Sequence, residues 1–265
     1  MRSLLLAASV AVIAVPLTAR ARGASGEFEQ RQSPHFVLHQ DAVTGEASGL
    51  RGSRHFEQQV LDELERAYDE LDHWLALRPH HRIEVVVYDP ASFDAAFAGQ
   101  FRFPAAGFYH GVIRVRGDTQ LTVALSRVLR HELVHAALDA AAPTLWLPGW
   151  VNEGAAEWFE ARTDGQRGLG LQQRAALAEL ARRGELYGLT ALDTPTFAGF
   201  APRAAQVAYL QSYALIDYLA RQHGERSLAE FLAALIRSRN LDRALRRVYR
   251  LDSAELESRF AQELG

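Results

Sequence analysis

Residues 131–135 read His-Glu-Leu-Val-His and lie inside a longer helical pattern over 119–139. Residues four apart on an α-helix share one face, with Cβ atoms about 5–6 Å apart, so His131 and His135 present two imidazoles to one point. Zinc binds imidazole nitrogen at about 2.0–2.1 Å, so both rings can hold one ion. Glu132 lies about 100° around the helix, where it can reach a water without binding the metal itself. The spacing therefore indicates metal-assisted hydrolysis.

The alternative interpretation is a pair of histidines on the surface of a helix. Apolar residues surround the pair, and they are Val128, Leu129, Leu133, Val134 and Leu138. This pattern predicts a mostly buried helix, and burying a His-Glu-His set without partners would be costly. The metal interpretation is therefore the preferred one.

We expect the third metal ligand from another element, because a catalytic zinc site usually keeps three protein ligands and one open position. Residues 152–157 read Asn-Glu-Gly-Ala-Ala-Glu near the beginning of the next helical pattern. Glu153 follows His135 by 18 positions, which is enough for the first helix to end and the chain to return. The three small residues after Glu153 predict a close approach of the two helices.

Two residues of this stretch are candidates to hold the histidines through hydrogen bonds. Glu157 lies one turn after Glu153 on the same helix face. A metal-bound histidine normally donates its other N–H to an acceptor such as a carboxylate, and Glu157 is the candidate acceptor for His131. Asn152 is the second candidate of this kind. The alternative for Glu157 is a solvated acid on the helix surface.

The two motifs together resemble a known family. His-Glu-Leu-Val-His, followed by Leu-Pro-Gly-Trp-Val-Asn-Glu-Gly-Ala-Ala-Glu at 147–157, is similar to the gluzincin metallopeptidases, especially the peptidase MA-like group. The resemblance implies a zincin-like fold, one catalytic Zn²⁺ bound by His131, His135 and Glu153, Glu132 as the general base, and a peptide or protein substrate.

The reaction also needs a donor for the developing oxyanion besides the metal. Tyr209 and Tyr213 lie four apart on a later helical pattern, so both can face the cleft. Gluzincins use a tyrosine or histidine donor, which makes one of the two a candidate, with Tyr209 preferred. The alternative is that both tyrosines pack in the core. The resemblance further implies that 108–115 supplies an edge strand to which an extended substrate can add.

Strands are predicted in the first half of the chain and helices throughout the second. Strand patterns occur at 35–39, 82–88 and 107–115, and helical patterns at 55–77, 92–97, 119–139, 150–162, 171–183, 206–222, 228–237, 241–249 and 253–264. This order predicts an α+β fold, with a small mixed sheet lobe at 34–118 and a helical lobe at 119–265, the active site lying between them. Together, 34–265 form one predicted catalytic domain. The series Phe93, Phe97, Phe101 and Phe103 is predicted to be core rather than a substrate cage.

The first residues have the pattern of a signal peptide over 1–21, with Arg2, an apolar run and a small-x-small cleavage site. A flexible leader is predicted over 22–33. We expect an exported protein, periplasmic or extracellular in a bacterium, with an uncleaved N-terminal anchor as the weaker alternative. The apolar run is too short for a comfortable membrane span. The chain has no cysteine, so no disulfide stabilises it.

Composition is ordinary for a globular protein, with 48% hydrophobic and 23% charged residues in a chain of 265. The formal net charge is −3 and no basic block tracks phosphates, which disfavours nucleic-acid binding. Two other functions remain open at this point. One is a binding protein that keeps the zinc fold without turnover, and the other is a zinc hydrolase of a non-peptide substrate.

Overall fold

The computed structural model describes residues 28–41, 53–117 and 120–264. The predicted signal peptide at 1–21 and residues 22–27 of the predicted leader lie outside these ranges. Residues 42–52, 118–119 and 265 also lie outside them. Within the described ranges, none of the helices is long and apolar enough to cross a membrane.

Five strands form one small mixed sheet. They are β1 (Phe28–Gln32), β2 (Phe36–Asp41), β3 (Ile83–Tyr88), β4 (Gly107–Tyr109) and β5 (Ile113–Arg116). Their order across the sheet is β1-β2-β3-β5-β4. The inner strands β2, β3 and β5 run parallel, and the outer strands β1 and β4 are antiparallel to their neighbours. The predicted mixed sheet is confirmed.

Helices occupy most of the remaining described chain. They are α1 (Ser53–Leu75), α2 (Pro90–Ala96), α3 (Val123–Ala141), α4 (Gly149–Thr163), α5 (Leu171–Arg182), α6 (Pro202–His223), α7 (Arg226–Ser238), α8 (Leu241–Tyr249) and α9 (Ser253–Leu264). Helix α1 provides the crossover that the parallel pair β2 and β3 requires. All five described strands lie in the first half of the chain, and seven of the nine described helices follow them. The predicted α+β fold class is therefore confirmed.

The sheet is covered on both faces. Val85 and Val87 of β3 point into the main core, which the sheet shares with α1, α3, α4 and α6. Val86 and Tyr88 point to the opposite face, where they pack in a second cluster with Phe93 and Phe108. Because successive side chains of a strand alternate between faces, this continuous apolar run matches a strand buried on both sides.

The beginning of the sheet differs from the sequence prediction. A flexible leader is expected over 22–33, yet Phe28–Gln32 form β1 and pair with residues 37–41 of β2. The turn between them is fixed by Glu65 of α1, which accepts hydrogen bonds from Ser33 Oγ at 2.5 Å and from the His35 amide at 2.9 Å. Partial burial alone would raise the pKa of Glu65, but these hydrogen bonds lower it. The polar composition of β1 gives no sign of partners so distant in sequence.

The strand pattern predicted over 107–115 forms a hairpin of two strands, β4 and β5. Gly111 lies in the connecting turn with φ of +67°, a conformation that glycine adopts without steric cost. Tyr109 in β4 donates a hydrogen bond of 2.7 Å to Asp139 Oδ2 in the last turns of α3. This bond holds the edge strand of the sheet against the helix that carries the His-Glu-Leu-Val-His motif.

A close approach between α4 and α6 depends on one glycine. A Cβ at Gly154 would lie 2.5 Å from the backbone oxygen of Ser212 and 2.7 Å from Ile216 Cγ1, both in α6. The small residues after Glu153 are expected to bring the two motif helices together. In the structure, however, Gly154 faces α6. Helix α6 therefore fixes the position of the turn of α4 that carries Glu153.

We predict that Gly154→Ala destabilises the protein although alanine favours a helix by about 1 kcal/mol. The added methyl group meets helix backbone that cannot move alone, and overpacking of this kind typically costs about 1–3 kcal/mol. Urea unfolding followed by circular dichroism measures the change. The matched control is Gly199→Ala, because a Cβ at Gly199 meets nothing within 4 Å. Equal stability of the two variants would show that the close approach is not needed.

Candidate metal centre

Helix α3 buries the motif residues side by side. Thr122 begins the helix, since its Oγ1 accepts a hydrogen bond of 3.1 Å from the Leu125 amide. His131 and Glu132 are fully buried, and His135 is 4% exposed. The apolar neighbours Leu129, Leu133 and Val134 are buried as well, as the helical pattern predicts. The histidines therefore do not lie on a solvated surface.

Helix α4 brings a buried carboxylate to the two imidazoles. Oε2 of Glu153 lies 3.3 Å from Nε2 of His131 and 3.4 Å from Nε2 of His135. One ligand atom from each of the three residues lies within 4.8 Å of the other two. Glu153 itself is fully buried. The structure thus brings together the three residues that the sequence proposes as metal ligands.

The chemistry of this group fits a divalent cation. Nε2 of His135 and Oε1 of Glu153 are buried and make no hydrogen bond within the described chain. Burial would raise the pKa of Glu153, but the nearby His135 and His131 lower it, so the carboxylate is ionised. Burial would likewise lower the pKa of His131, but the carboxylates of Glu153 and Glu160 raise it well above its usual value. A site that favours positive charge, with two imidazoles and one carboxylate, is a donor set that zinc accepts.

Asn152 orients one of the histidines. Its Oδ1 lies 3.0 Å from Nδ1 of His135, and an amide oxygen can only accept, so Nδ1 carries the proton. Nε2 is the ring nitrogen of His135 that remains available to a metal, and it lies 3.4 Å from Oε2 of Glu153. From the sequence, Asn152 is a candidate to hold one of the histidines through a hydrogen bond, and in the structure its partner is His135. The contact favours the tautomer of His135 that a metal ligand needs.

A second carboxylate of α4, besides the expected Glu157, lies near His131. Oε2 of Glu160 lies 3.8 Å from Nδ1 of His131, whereas Glu157 is the acceptor that the sequence predicts. Glu157 occupies the turn between Glu153 and Glu160, and burial together with the charge of Glu160 raises its pKa to about 8. Nε of Arg127 lies 3.7 Å from Oε1 of Glu160, and Nδ1 of His131 makes no hydrogen bond within the described chain.

Arg127 belongs to a set of charges that the sequence analysis misses. Its Nε also lies 2.5 Å from Asp164 just after α4, and Arg130 NH1 lies 2.6 Å from the other oxygen of Asp164. Arg130 additionally reaches Glu63 of α1 at 2.5 Å. This charge cluster joins α1, α3 and the end of α4. The available sequence signal was the two arginines, three positions apart, just before the His-Glu-Leu-Val-His motif.

The two tyrosines of α6 are both buried, at 2% exposure for Tyr209 and 3% for Tyr213. The Tyr209 ring packs edge-on against Phe103 at 6.5 Å and against Phe197 at 5.3 Å between ring centroids. Burial and the charge of Asp217 raise the pKa of Tyr213, so its hydroxyl stays protonated. Their surroundings differ, with aromatic rings around Tyr209 and charged groups near Tyr213.

The architecture and the site together define a class of protein. A small mixed sheet followed by two helices that carry a buried His-His-Glu group is the arrangement of a zincin-like metal-dependent peptidase. A family model described as Peptidase MA superfamily matches residues 84–264, which is more than half of the chain. The chain belongs to the Peptidase MA superfamily, so the resemblance carried by the two motifs is confirmed at that level, and membership indicates a metallopeptidase. A comparison with curated proteins finds no match.

We predict that Glu160→Gln weakens metal binding about tenfold, because it removes a negative charge 3.8 Å from Nδ1 of His131 that favours a positive centre. Glu157→Gln is the matched control on the same helix face. It should weaken binding less, because burial and the charge of Glu160 raise the pKa of Glu157 and so reduce the negative charge that it carries. Competition titration against a chromophoric chelator measures both. A larger loss for Glu157→Gln would restore the assignment made from helix spacing.

Proposed function

We propose that the protein is a zinc-dependent peptidase of the gluzincin type, with His131, His135 and Glu153 as ligands of one Zn²⁺ and Glu132 as general base. The observation that carries the proposal is the convergence of two imidazoles and one carboxylate, all buried, with ligand atoms within 4.8 Å of one another. Membership in a superfamily of metallopeptidases supports the reaction class.

Zinc bound by these residues would act as a Lewis acid toward the peptide carbonyl and lower the pKa of a coordinated water toward about 7. Glu132 then takes the proton from the attacking water and passes it to the leaving amine. Its position one residue after His131, on a helix whose axis is fixed by packing on both sides, keeps the carboxylate close to the ligands without making it one of them. Full burial of Glu132 keeps bulk water from competing for that proton.

A substrate strand has a suitable partner in β4. This strand is at the edge of the sheet, hydrogen-bonded to β5 alone among the described strands. It is held to α3 by the bond between Tyr109 and Asp139. We propose that an extended peptide adds to β4 through main-chain hydrogen bonds, which would bring its backbone across the helix that carries Glu132.

Tyr209 is the proposed donor to the oxyanion. Its ring packs against Phe103, so Tyr209 contacts the segment that leads into β4, the strand proposed to bind the substrate. Tyr213 instead lies in the electrostatic field of Asp217, Arg162 and Glu157. A protonated phenol can donate a hydrogen bond to an oxygen that gains charge.

The cellular location is a further proposal from the N-terminal sequence alone. The charged start, apolar run and small-x-small site of 1–21 favour export, to a bacterial periplasm or exterior. Fractionation of cells that express the full chain, with the N-terminal residue of the mature protein determined by sequencing, tests it. Retention of residues 1–21 on a membrane-bound protein would favour the anchor instead.

We predict that Glu132→Gln keeps stoichiometric zinc but lowers kcat about 10²–10⁴-fold, because the proton transfer is lost while the ligands stay. A peptide library read by mass spectrometry measures cleavage, and metal analysis of the same sample measures zinc. Glu84→Gln is the control, since Glu84 is an exposed residue of β3. Conversely, His135→Ala should lose zinc.

Two results would contradict this assignment. A zinc-loaded wild type that cleaves no library member would leave a binding protein with a zincin-like fold, or a hydrolase of another substrate. Stoichiometric zinc in His135→Ala would refute the ligand set itself.

We predict that Tyr209→Phe lowers kcat about 10²–10³-fold with zinc content unchanged, as expected when one donor to an oxyanion is removed. Tyr213→Phe, four residues away on the same helix, serves as the comparison and should have a smaller effect. Steady-state kinetics with a single peptide substrate separates kcat from KM. If Tyr213→Phe has the greater effect on kcat, the donor is Tyr213.

A further inference from the structure

A cavity of about 580 Å³ lies between α2, the segment before β4 and the first half of α3. This volume is within the range of about 300–1,000 Å³ that is usual for pockets that hold small ligands. The cavity is lined by residues of the 90–106 region on one side and by Ala124, Leu125 and Val128 of α3 on the other. None of these residues belongs to the proposed metal ligands or to the proton-transfer machinery.

Four phenylalanine side chains form part of the cavity wall. They are Phe93, Phe97, Phe101 and Phe103. Sequence reasoning places them in the core rather than around a substrate. In the structure three of them cover the outer face of the sheet with Phe108, for example Phe97 at 4.7 Å between ring centroids, and they also face the cavity. Packing against one another fixes the rings, so the apolar wall is preformed.

The charged groups in the wall neutralise each other. Arg116 makes two hydrogen bonds to Asp94, at 3.1 Å from Nε to Oδ1 and 3.2 Å from NH2 to Oδ2. The hydroxyl of Thr122 caps α3, and Gln120 is uncharged. A bidentate pair of this kind leaves no net charge for a ligand of either sign. The described wall therefore favours a neutral, apolar group.

One helix face and one ring contact connect the cavity to the proposed active site. Leu125 and Val128 lie seven and four positions before Glu132, so the same face of α3 lines the cavity and carries the general base. Phe103, on the opposite wall, packs edge-on against Tyr209 at 6.5 Å. The strand β4 begins beside the cavity, at Gly107, where a Cβ would lie 2.5 Å from Val128 Cγ1. A peptide that lies along β4 would thus carry a side chain past the cavity opening.

We propose that this cavity is a specificity pocket that accepts one bulky apolar side chain, aromatic or leucine-like, of the peptide substrate. The proposal rests on the proposed peptidase function and adds a substrate class to it. Burial of a large apolar side chain against the four phenylalanines supplies binding free energy roughly proportional to the area buried. Peptides with small or charged residues at that position lose this contribution, and a charged residue also loses hydration.

The test fills the cavity from an exposed helix position. Ala124 is exposed and lines the cavity, so Ala124→Phe adds a ring there with little strain on the core. We expect the wild type to cleave peptides with Phe or Leu at one fixed position at least about tenfold faster, in kcat/KM, than those with Ala. In Ala124→Phe this ratio should fall toward one. Ala176→Phe, at an exposed position of α5 outside the cavity, should keep the wild-type ratio.

A second measurement does not depend on turnover. Binding of N-acetyl-phenylalanine amide is followed by NMR chemical shifts in the zinc-loaded protein, with N-acetyl-alanine amide and N-acetyl-arginine amide for comparison. The phenylalanine amide should bind most tightly, and Ala124→Phe should weaken it at least about tenfold, with Ala176→Phe unchanged.

The outcomes separate the two proposals. Cleavage without any apolar preference, or a preference that Ala124→Phe leaves intact, overturns the pocket and leaves the peptidase standing. Binding of the phenylalanine amide that Ala124→Phe abolishes, in a protein that cleaves no peptide, supports the pocket and overturns the peptidase. Tighter binding of the arginine amide overturns the apolar assignment directly.

Discussion

The burial of two imidazoles and a carboxylate at one point is the constraint on which the rest of the structure depends. Polar groups removed from water need partners, and His131, His135 and Glu153 find them only if α3 and α4 keep a fixed separation and rotation. Gly154 allows α6 to contact α4 closely at the residue after Glu153. On the other side, the charge cluster around Arg130 ties α3 to α1 and to the end of α4. The scaffold is thus organised to hold three atoms in register.

Local patterns carried much of this arrangement. The i, i+4 spacing of the histidines, the apolar residues around them and the 18-position interval to Glu153 follow from helix geometry, and the structure brings those residues together. The predicted strand and helix segments agree with the observed elements to within a few residues for the same reason. Periodicity within one segment is enough to predict that segment.

What could not be predicted depends on contacts between segments distant in sequence. The polar β1 is a strand because β2 and Glu65 satisfy its backbone and turn, which its own composition does not indicate. Glu160 lies 3.8 Å from His131 and 3.7 Å from Arg127, an arrangement that helix spacing alone does not indicate. The phenylalanines of the 93–103 stretch were predicted to be core, and only their arrangement opposite α3 gives them a second surface that faces a cavity.

The charge cluster affects how the helices around the proposed metal site behave when the metal is removed. Arg127 and Arg130 join α3 to Asp164 without any contribution from His131, His135 or Glu153, so this link between the helices does not depend on the proposed metal ligands. In small zinc domains, by contrast, the ion supplies the folding free energy and its removal unfolds the chain. Here a chelated protein would keep its helices docked and remain ready for reconstitution, which permits assembly first and metallation later, in whichever compartment supplies the ion.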